Sequence, residues 1–219
     1  YEKRIEVVDQ MIKTLGLSEK KQVYILNKVD LWLITHGHKD HLDDVGRGYL
    51  KGKTVISTNK KITEGLSTLN NMVLKWGEEQ IFSVEEYQII IKAVPAYHAS
   101  NYIMQKIVGK VNGYQITIKS PSLTKVIYFT GDTVLYSKLT KNIPQNIDVI
   151  FANLGAVKSG SFGGPFTMDL EMLKQMESLL KPKNVYPLHI EDYSHYKTTR
   201  KEVEAAGYRG LAVGETIDI

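Results

Sequence analysis

The chain of 219 residues contains no cysteine. This absence excludes disulfide bonds, thiolate-rich structural zinc sites and a cysteine nucleophile. A protein without disulfides fits the reducing environment of the cytoplasm, and we therefore expect a cytoplasmic location.

Long apolar runs are also missing. None approaches the roughly 20 residues that a membrane-spanning helix needs, and residues 1–4 lack a secretory apolar region. We therefore expect no membrane association. The excess of basic over acidic residues is small, 28 against 24, which argues against a long nucleic acid as partner.

Several common catalytic motifs are absent as well. The sequence has neither a G-x-S-x-G nucleophile elbow nor a G-x-x-x-x-G-K phosphate loop. Residues 46–48 read Gly-Arg-Gly but lack the third glycine of a dinucleotide fingerprint, so we interpret them as a turn.

What the chain does have is a dense group of metal-ligating residues, namely His36, His38, Asp40 and His41. They directly follow an apolar run at residues 29–34, which predicts a strand. In an extended segment residues i and i+2 project to one side, so His36 and His38 can bind one cation. Asp40 and His41, past the turn, can bind a second. Imidazole and carboxylate ligands suit zinc, and also manganese or iron.

Further ligands are available downstream. His98, Asp132 and His189 each follow a β-like run, at residues 87–94, 126–129 and 185–188. Open α/β architectures place their sites at the carboxyl ends of strands. We therefore predict that these three side chains complete the coordination of two cations.

This ordered set resembles the metallo-β-lactamase superfamily of binuclear metallohydrolases, from about Val29 to the C-terminus. Residues 131–136, 164–168 and 187–191 further resemble its ascorbate-6-phosphate-lactonase-like branch. The resemblance implies an α/β fold, an αββα sandwich of two mixed β-sheets flanked by helices. It also implies two divalent metal ions, with zinc expected first and manganese or iron as alternatives. The implied first site contains His36, His38 and His98, and the second contains Asp40, His41 and His189, with Asp132 bridging.

The resemblance implies an enzyme, a hydrolase in which a hydroxide bridging two metal ions cleaves an ester-type bond. The expected substrate is a small molecule, a lactone or a phosphorylated and hence anionic compound. Asp40 is then also a candidate catalytic residue, which orients the nucleophile or passes a proton to the leaving group. His195, the remaining histidine, is the other catalytic candidate, in a ligand-supporting or substrate-facing role, or else an ordinary surface residue. A phosphodiesterase or nuclease of the same superfamily, and a non-catalytic metal-binding scaffold or sensor, are the alternatives. The sequence also leaves open whether the chain forms a homo-oligomer.

The coarse element order predicts one domain over residues 1–219. Apolar residues recur at helical spacing between Ile5 and Leu15, and Gly16 fits a helix stop. Strands are predicted at residues 53–56, 72–74, 80–84, 86–94, 114–118, 125–130 and 148–153. Helices are predicted near residues 62–69 and after Thr167, the latter with Leu179 on its apolar face. Because members of the family usually begin with several strands, and this chain starts at Tyr1, we expect an N-terminal segment to be missing from the sequence.

Two segments allow more than one interpretation. The glycine-rich residues 155–164 predict either a mobile flap, with Lys158 or Ser161 meeting an anionic substrate group, or an ordinary structural loop. Residues 193–197 with Arg200 and Lys201 can form a basic aromatic patch for nucleic acid. We favour a helix there instead, capped by Thr198 or Thr199, with Val203 and Ala206 inside and Gly207 at its end.

Overall fold

The computed structural model describes residues 28–136, 143, 146–158, 164–212, 215 and 217–219. Within these residues nine strands form two sheets. The small sheet has the order β1-β2-β3 and is parallel throughout: β1 (Leu31–Leu33), β2 (Thr54–Ser57) and β3 (Asn70–Val73). The large sheet runs in chain order: β4 (Glu79–Val84), β5 (Tyr87–Ala96), β6 (Val111–Lys119), β7 (Thr124–Phe129), β8 (Val149–Asn153) and β9 (Asn184–Leu188).

In the described part of the chain, five helical segments accompany the two sheets. They are α1 (Asp44–Tyr49), a 3-10 helix (Lys60–Thr63), α2 (Tyr102–Val108), α3 (Leu170–Leu180) and α4 (Arg200–Ala205). Buried side chains of α3 and α4, such as Leu173 and Val203, pack with Ile150 of β8 in one core cluster. On the other side, Leu50 and Ile62 pack against Val55 of β2. The chain thus forms an αββα sandwich.

The core between the two sheets follows from the alternation of side chains along β5. Ile89, Ile91 and Ala93 face the small sheet, where they pack with Ile56 of β2. Val94, one residue later, belongs to the cluster that packs against α3. Successive strand residues point to opposite faces, so this strand is buried on both sides.

The sheet topology brings several strand ends to one edge. β5 is antiparallel to β6, which is antiparallel to β7, and β7, β8 and β9 are parallel. The strands β5, β7, β8 and β9 therefore run in the same direction and end at the same edge. Two hydrogen bonds attach the loop after β1 to this edge: Tyr114 Oη donates to the Ile34 carbonyl at 2.9 Å and the Asn112 amide to the Thr35 carbonyl at 3.0 Å.

Most predicted strands are confirmed to within a few residues, but two helix predictions and one turn prediction are wrong in detail. The predicted helix at residues 62–69 is only a short 3-10 helix that ends at Thr63, before Gly65, whose φ of +74° is left-handed. Residues 46–48 lie in α1, where the Asp43 carboxylate caps the helix by accepting from the Gly46 amide. The N-cap of α3 is Asp169 and not Thr167, and Leu179 is exposed.

Other predictions have mixed outcomes. Thr199 caps α4 through a capping box with Glu202, and Val203 is buried, as the favoured interpretation predicts. The sequence patterns did not predict α2. The helix predicted between Ile5 and Leu15 lies outside the described residues. Among the described helices, none is long and apolar enough to cross a membrane.

Candidate metal centre

One group of three imidazoles, the first group, consists of His36, His38 and His98. His36 and His38 lie in the loop after β1, and His98 follows the end of β5. Their ligand atoms all lie within 4.8 Å of one another. The Nε2 atom of His98 is 3.2 Å from Nδ1 of His38. Both His36 and His98 are buried.

A second group lies beside it and consists of Asp40, His41, Asp132 and His189. Asp132 follows β7 and His189 follows β9. The Nε2 atoms of His41 and His189 are 3.2 Å apart. Asp40 Oδ2 is 3.7 Å from His189 Nε2 and 4.0 Å from His41 Nε2. All seven residues that the sequence singled out as ligands are therefore gathered at one edge of the fold.

Asp132 lies between the two groups. Its Oδ2 is 3.2 Å from His41 Nε2 of the second group and 3.5 Å from His98 Nε2 of the first group. Its Oδ1 is 3.5 Å from His189 Nε2 and accepts a hydrogen bond of 2.8 Å from Asn153 Nδ2. The side chain is almost fully buried, so a single carboxylate is shared among three imidazoles.

Hydrogen bonds to the Nδ1 atoms of three histidines, which face away from the centre, determine that their Nε2 atoms face it. His98 Nδ1 lies 2.8 Å from the carbonyl oxygen of Phe166, which can only accept, so Nδ1 carries the proton. The Oγ1 of Thr35 lies 3.2 Å from Nδ1 of His36 and 3.5 Å from Nδ1 of His41. A hydroxyl oxygen can accept from both rings. These partners leave the Nε2 lone pairs directed into the centre, the arrangement typical of metal-ligating histidines.

Burial and neighbouring charges set the protonation of the centre. Burial, reinforced by the neighbouring His41, lowers the pKa of His36 from 6.5 to about 2. Burial likewise lowers the pKa of His98. Burial alone would raise the pKa of Asp132, but the hydrogen bond and charge of His41 outweigh it and hold that pKa below its usual range. Two neutral imidazoles and an ionised carboxylate are the forms that bind cations.

Burial and neighbouring charges also shift the pKa values of the second group in opposite directions. Burial alone would raise the pKa of Asp40, but the hydrogen bond from His189 and the charge of His41 lower it overall. For His41, burial works to lower the pKa, but the hydrogen bond and charge of Asp132 raise it above the ordinary value. The two groups together therefore concentrate two carboxylates and five imidazoles at one place.

The donor set fits divalent metal ions. Nε2 of His36 is buried, and no described group hydrogen-bonds to it. Two ligands bound 2.0–2.1 Å from a tetrahedral zinc ion are about 3.3 Å apart. The pairs His98–His38, His41–His189 and His41–Asp132 all approach to 3.2 Å. Lone pairs that converge at this spacing are suited to hold a cation.

Two residues at the centre were not foreseen from the sequence. Asn153, the last residue of β8, hydrogen-bonds to Asp132. Tyr196 is buried, with its hydroxyl 3.0 Å from Asp40 Oδ2 and 2.5 Å from His189 Nε2. The position of Asn153 at a strand end, in line with the ligands, was the available indication. Tyr196 directly follows His195, the catalytic candidate that the sequence predicts, but no pattern in the sequence distinguishes this tyrosine.

His195 itself lies at the rim of the centre. Its Nε2 is 3.8 Å from Asp40 Oδ2, and about half of its side chain, 52%, is exposed. It is therefore close to the second group but outside hydrogen-bond distance.

The glycine-rich segment is partly described. Lys158 forms an isolated antiparallel bridge with Pro165, and the Pro165 carbonyl accepts from the Ser100 amide at 3.1 Å. Together with the contact between Phe166 and His98, these bonds attach the end of the segment to the first group. Ser161 lies outside the described residues.

A two-sheet sandwich with histidine and aspartate ligands at its strand ends defines the class of metallo-β-lactamase-fold proteins. The model of the β-lactamase superfamily domain matches residues 12–190. The chain therefore belongs to the metallo-β-lactamase superfamily.

A metal-dependent hydrolase of the UPF0173 group from Pyrococcus furiosus is 32% identical over 167 residues, which cover 74% of this chain and 66% of the relative. One from Carboxydothermus hydrogenoformans is 29% identical over 87% of this chain and 78% of its own length. The chain thus spans just under two thirds of the length of the first of these curated relatives.

Solved structures agree on the fold. The isothiocyanate hydrolase from Delia radicum gut bacteria superposes with a TM-score of 0.68 at 23% identity, covering 84% of this chain and 72% of that one. The metallo hydrolase Igni18 from Ignicoccus hospitalis gives a TM-score of 0.58 at 24% identity, covering 87% and 79%. At these identities the likeness extends to the fold alone.

Proposed function

We propose that this protein is a metal-dependent hydrolase, a single domain that holds two divalent metal ions, zinc in the first instance. The observation that carries the proposal is the convergence of two adjacent ligand groups with Asp132 between them. The curated relatives are named metal-dependent hydrolases, which supports the same conclusion.

In this proposal His36, His38 and His98 hold one ion, and Asp40, His41 and His189 hold the other, with Asp132 shared. Bound there, two divalent ions would activate water as the nucleophile and polarise the bond to be cleaved. The chain's own residues supply the geometry. Thr35 and the Phe166 carbonyl keep the Nε2 atoms of the imidazoles pointing inward.

Asp40 and His195 are the proposed proton-handling pair. Asp40 remains ionised, because the groups around it lower the pKa of its carboxyl, and it can orient a nucleophile or pass a proton on to the leaving group. His195 is exposed at the rim, 3.8 Å from Asp40. From that position its imidazole can contact the leaving group of a substrate that enters from solvent.

The substrate class proposed is a small molecule with an ester-type bond, a lactone or a phosphorylated compound. Likeness to lactonase-like members of the family supports it. Lys158 is exposed within the glycine-rich segment, and Phe166, two residues past the end of that segment, contacts His98, so Lys158 can meet an anionic group. A phosphodiester is the alternative substrate of the same centre.

The test is elemental analysis of the purified protein, untreated and chelator-stripped, with hydrolysis assays on a lactone and on a phosphodiester model substrate. We expect about two metal ions per chain, and hydrolysis that is lost on stripping and restored by zinc or manganese. The preferred model substrate selects between the lactone and the phosphodiester. A protein that takes up no metal when metals are supplied contradicts the ligand assignment, and one that binds metal without hydrolysis of either substrate is a metal-binding scaffold.

A further inference from the structure

Tyr196 is a buried polar residue in contact with the second group, and the proposed ligand set gives it no role. Its side chain is almost fully buried, and its ring lies against that of His189, with centroids 3.9 Å apart. Its hydroxyl donates to Asp40 Oδ2 at 3.0 Å and lies 2.5 Å from His189 Nε2. One oxygen atom therefore contacts two proposed ligands of the same ion.

The loop that carries Tyr196 is fixed at several points. The Tyr196 amide donates to the Tyr193 carbonyl at 3.0 Å, and the next amide, of Lys197, donates to the Gly155 carbonyl at 2.8 Å. Thr199 then begins α4 with its capping box. A side chain held this firmly can fix the orientation of its hydrogen-bond partner.

The Tyr196 hydroxyl has only one proton to donate, and of its two neighbours Asp40 Oδ2 is the stronger acceptor. A hydrogen bond to an ionised carboxylate is stronger than one to a neutral imidazole. A cation bound to His189 would occupy the Nε2 lone pair, but the bond from Tyr196 to Asp40 would remain. The neighbouring His195 does not hold Asp40 in this way, because its Nε2 is 3.8 Å from Asp40 Oδ2, outside hydrogen-bond distance, and its side chain is half exposed.

We propose that Tyr196 is the positioning residue of the second metal ion: its hydroxyl holds the Asp40 carboxylate beside His189 so that both ligands face the same cation. This inference rests on the proposed two-metal function. Asp40 comes from a loop and is the most solvent-accessible of the four second-group side chains, so it is the ligand that most needs an external constraint. Residues that orient a metal ligand in this way commonly change metal affinity or activity 10- to 100-fold when they are removed.

The experiment compares Tyr196→Phe with the wild type in stepwise metal titrations of chelator-stripped protein. Zn²⁺ uptake is measured in competition with a chromophoric chelator, and Co²⁺ uptake by its d–d absorption. We expect the second binding event to weaken by about 10- to 100-fold, while the first stays within twofold. The d–d bands of the second Co²⁺ should also change, because the geometry of Asp40 changes.

Tyr208→Phe is the matched control. Its hydroxyl also donates to a carboxylate, Glu177 Oε2 at 2.7 Å, but that pair packs between α3 and the end of α4, and neither residue is a proposed ligand. Both binding events should stay within twofold of the wild type.

Unchanged affinities and spectra in Tyr196→Phe would overturn the inference. Equal weakening of both events would also overturn it, because a general loss of packing does not act on one site. Loading with Fe³⁺ adds a third check: a phenolate-to-metal charge-transfer band that disappears in Tyr196→Phe would make Tyr196 a direct ligand instead. Failure of the wild type to bind a second ion would contradict the proposed function itself and is recognised before any variant is compared.

Discussion

Asn153 donates a hydrogen bond of 2.8 Å from its side-chain amide to Oδ1 of Asp132. Asp132 is the carboxylate that lies between the two ligand groups, and Asn153 occupies the last position of β8. The backbone N–H of Asn153 in turn donates a hydrogen bond of 3.0 Å to Thr130 Oγ1. A rigid strand end therefore fixes the orientation of the shared carboxylate.

We expect Asn153→Ala to weaken metal binding by about 10- to 100-fold, because the Asp132 carboxylate becomes free to rotate. Both binding events should be affected, since Asp132 approaches both groups. Competition titration of the stripped variant measures the two affinities. Wild-type affinities in this variant would mean that packing alone fixes Asp132.

Gly155 leaves room for the ring of His189. A Cβ atom at this position would lie 2.9 Å from His189 Nδ1 and 3.1 Å from Thr167 Oγ1. Gly155→Ala should therefore displace the His189 ring and weaken the second binding event selectively. The measurement is the number of ions that remain bound after exhaustive dialysis, together with hydrolytic activity.

Gly48→Ala is the control for that variant. A Cβ at Gly48 meets nothing within 4 Å, and the residue lies inside α1. Metal content should be unchanged, and the helix should gain about 0.5–1 kcal/mol, the usual difference between glycine and alanine in a helix. If Gly155→Ala retains the wild-type ion count as the control does, the ring is not displaced.

The ligand residues could be found in the sequence because each follows an apolar β-like run. What the sequence did not reveal is the set of partners behind them. The Phe166 carbonyl that orients His98 is a backbone group 68 residues away in the sequence. A pattern of side-chain types cannot indicate such a partner. Tyr196 and Asn153 are ordinary residue types whose roles depend on the pairing of distant strands.

The first residue of α3 was not predicted correctly, because it too depends on tertiary contacts. Thr167 resembles a helix cap in sequence, but its hydroxyl accepts from the Val157 amide of the glycine-rich segment. Asp169 is left to cap α3. Competition between two nearby capping residues is decided by tertiary contacts, which single-chain patterns do not contain.

Removal of individual candidate ligands should separate the two groups. His36→Ala should abolish one binding event and His189→Ala the other, because each residue belongs to one group only. Asp132→Asn should weaken both, since a neutral amide replaces the charge that His41 and His98 share. Metal counting by elemental analysis distinguishes these patterns. If Asp132→Asn removes only one ion, the carboxylate serves a single site.

Asp148 provides a pH-dependent contribution to stability away from the metal centre. Its nearly buried carboxylate accepts from the Val126 amide at 2.8 Å and from Lys183 Nζ at 2.7 Å. Burial alone would raise the pKa of Asp148, but these bonds outweigh it and lower the pKa in the folded state. The folded state therefore binds the Asp148 proton less readily than the unfolded state. Its contribution is complete above the unfolded pKa of about 3.9 and is lost as the pH falls through the lower folded value.

We expect Asp148→Asn to lower the free energy of unfolding by about 1 to 3 kcal/mol near pH 7, the usual range for hydrogen bonds to a charged group. The difference from the wild type should shrink as the pH falls below about 4. Urea unfolding of chelator-stripped protein between pH 7 and pH 3 measures it, and Asp218→Asn, an exposed carboxylate near the C-terminus, is the control. A difference that stays constant over this range would assign the stabilisation to packing of the side chain, because packing does not depend on whether the carboxyl is ionised.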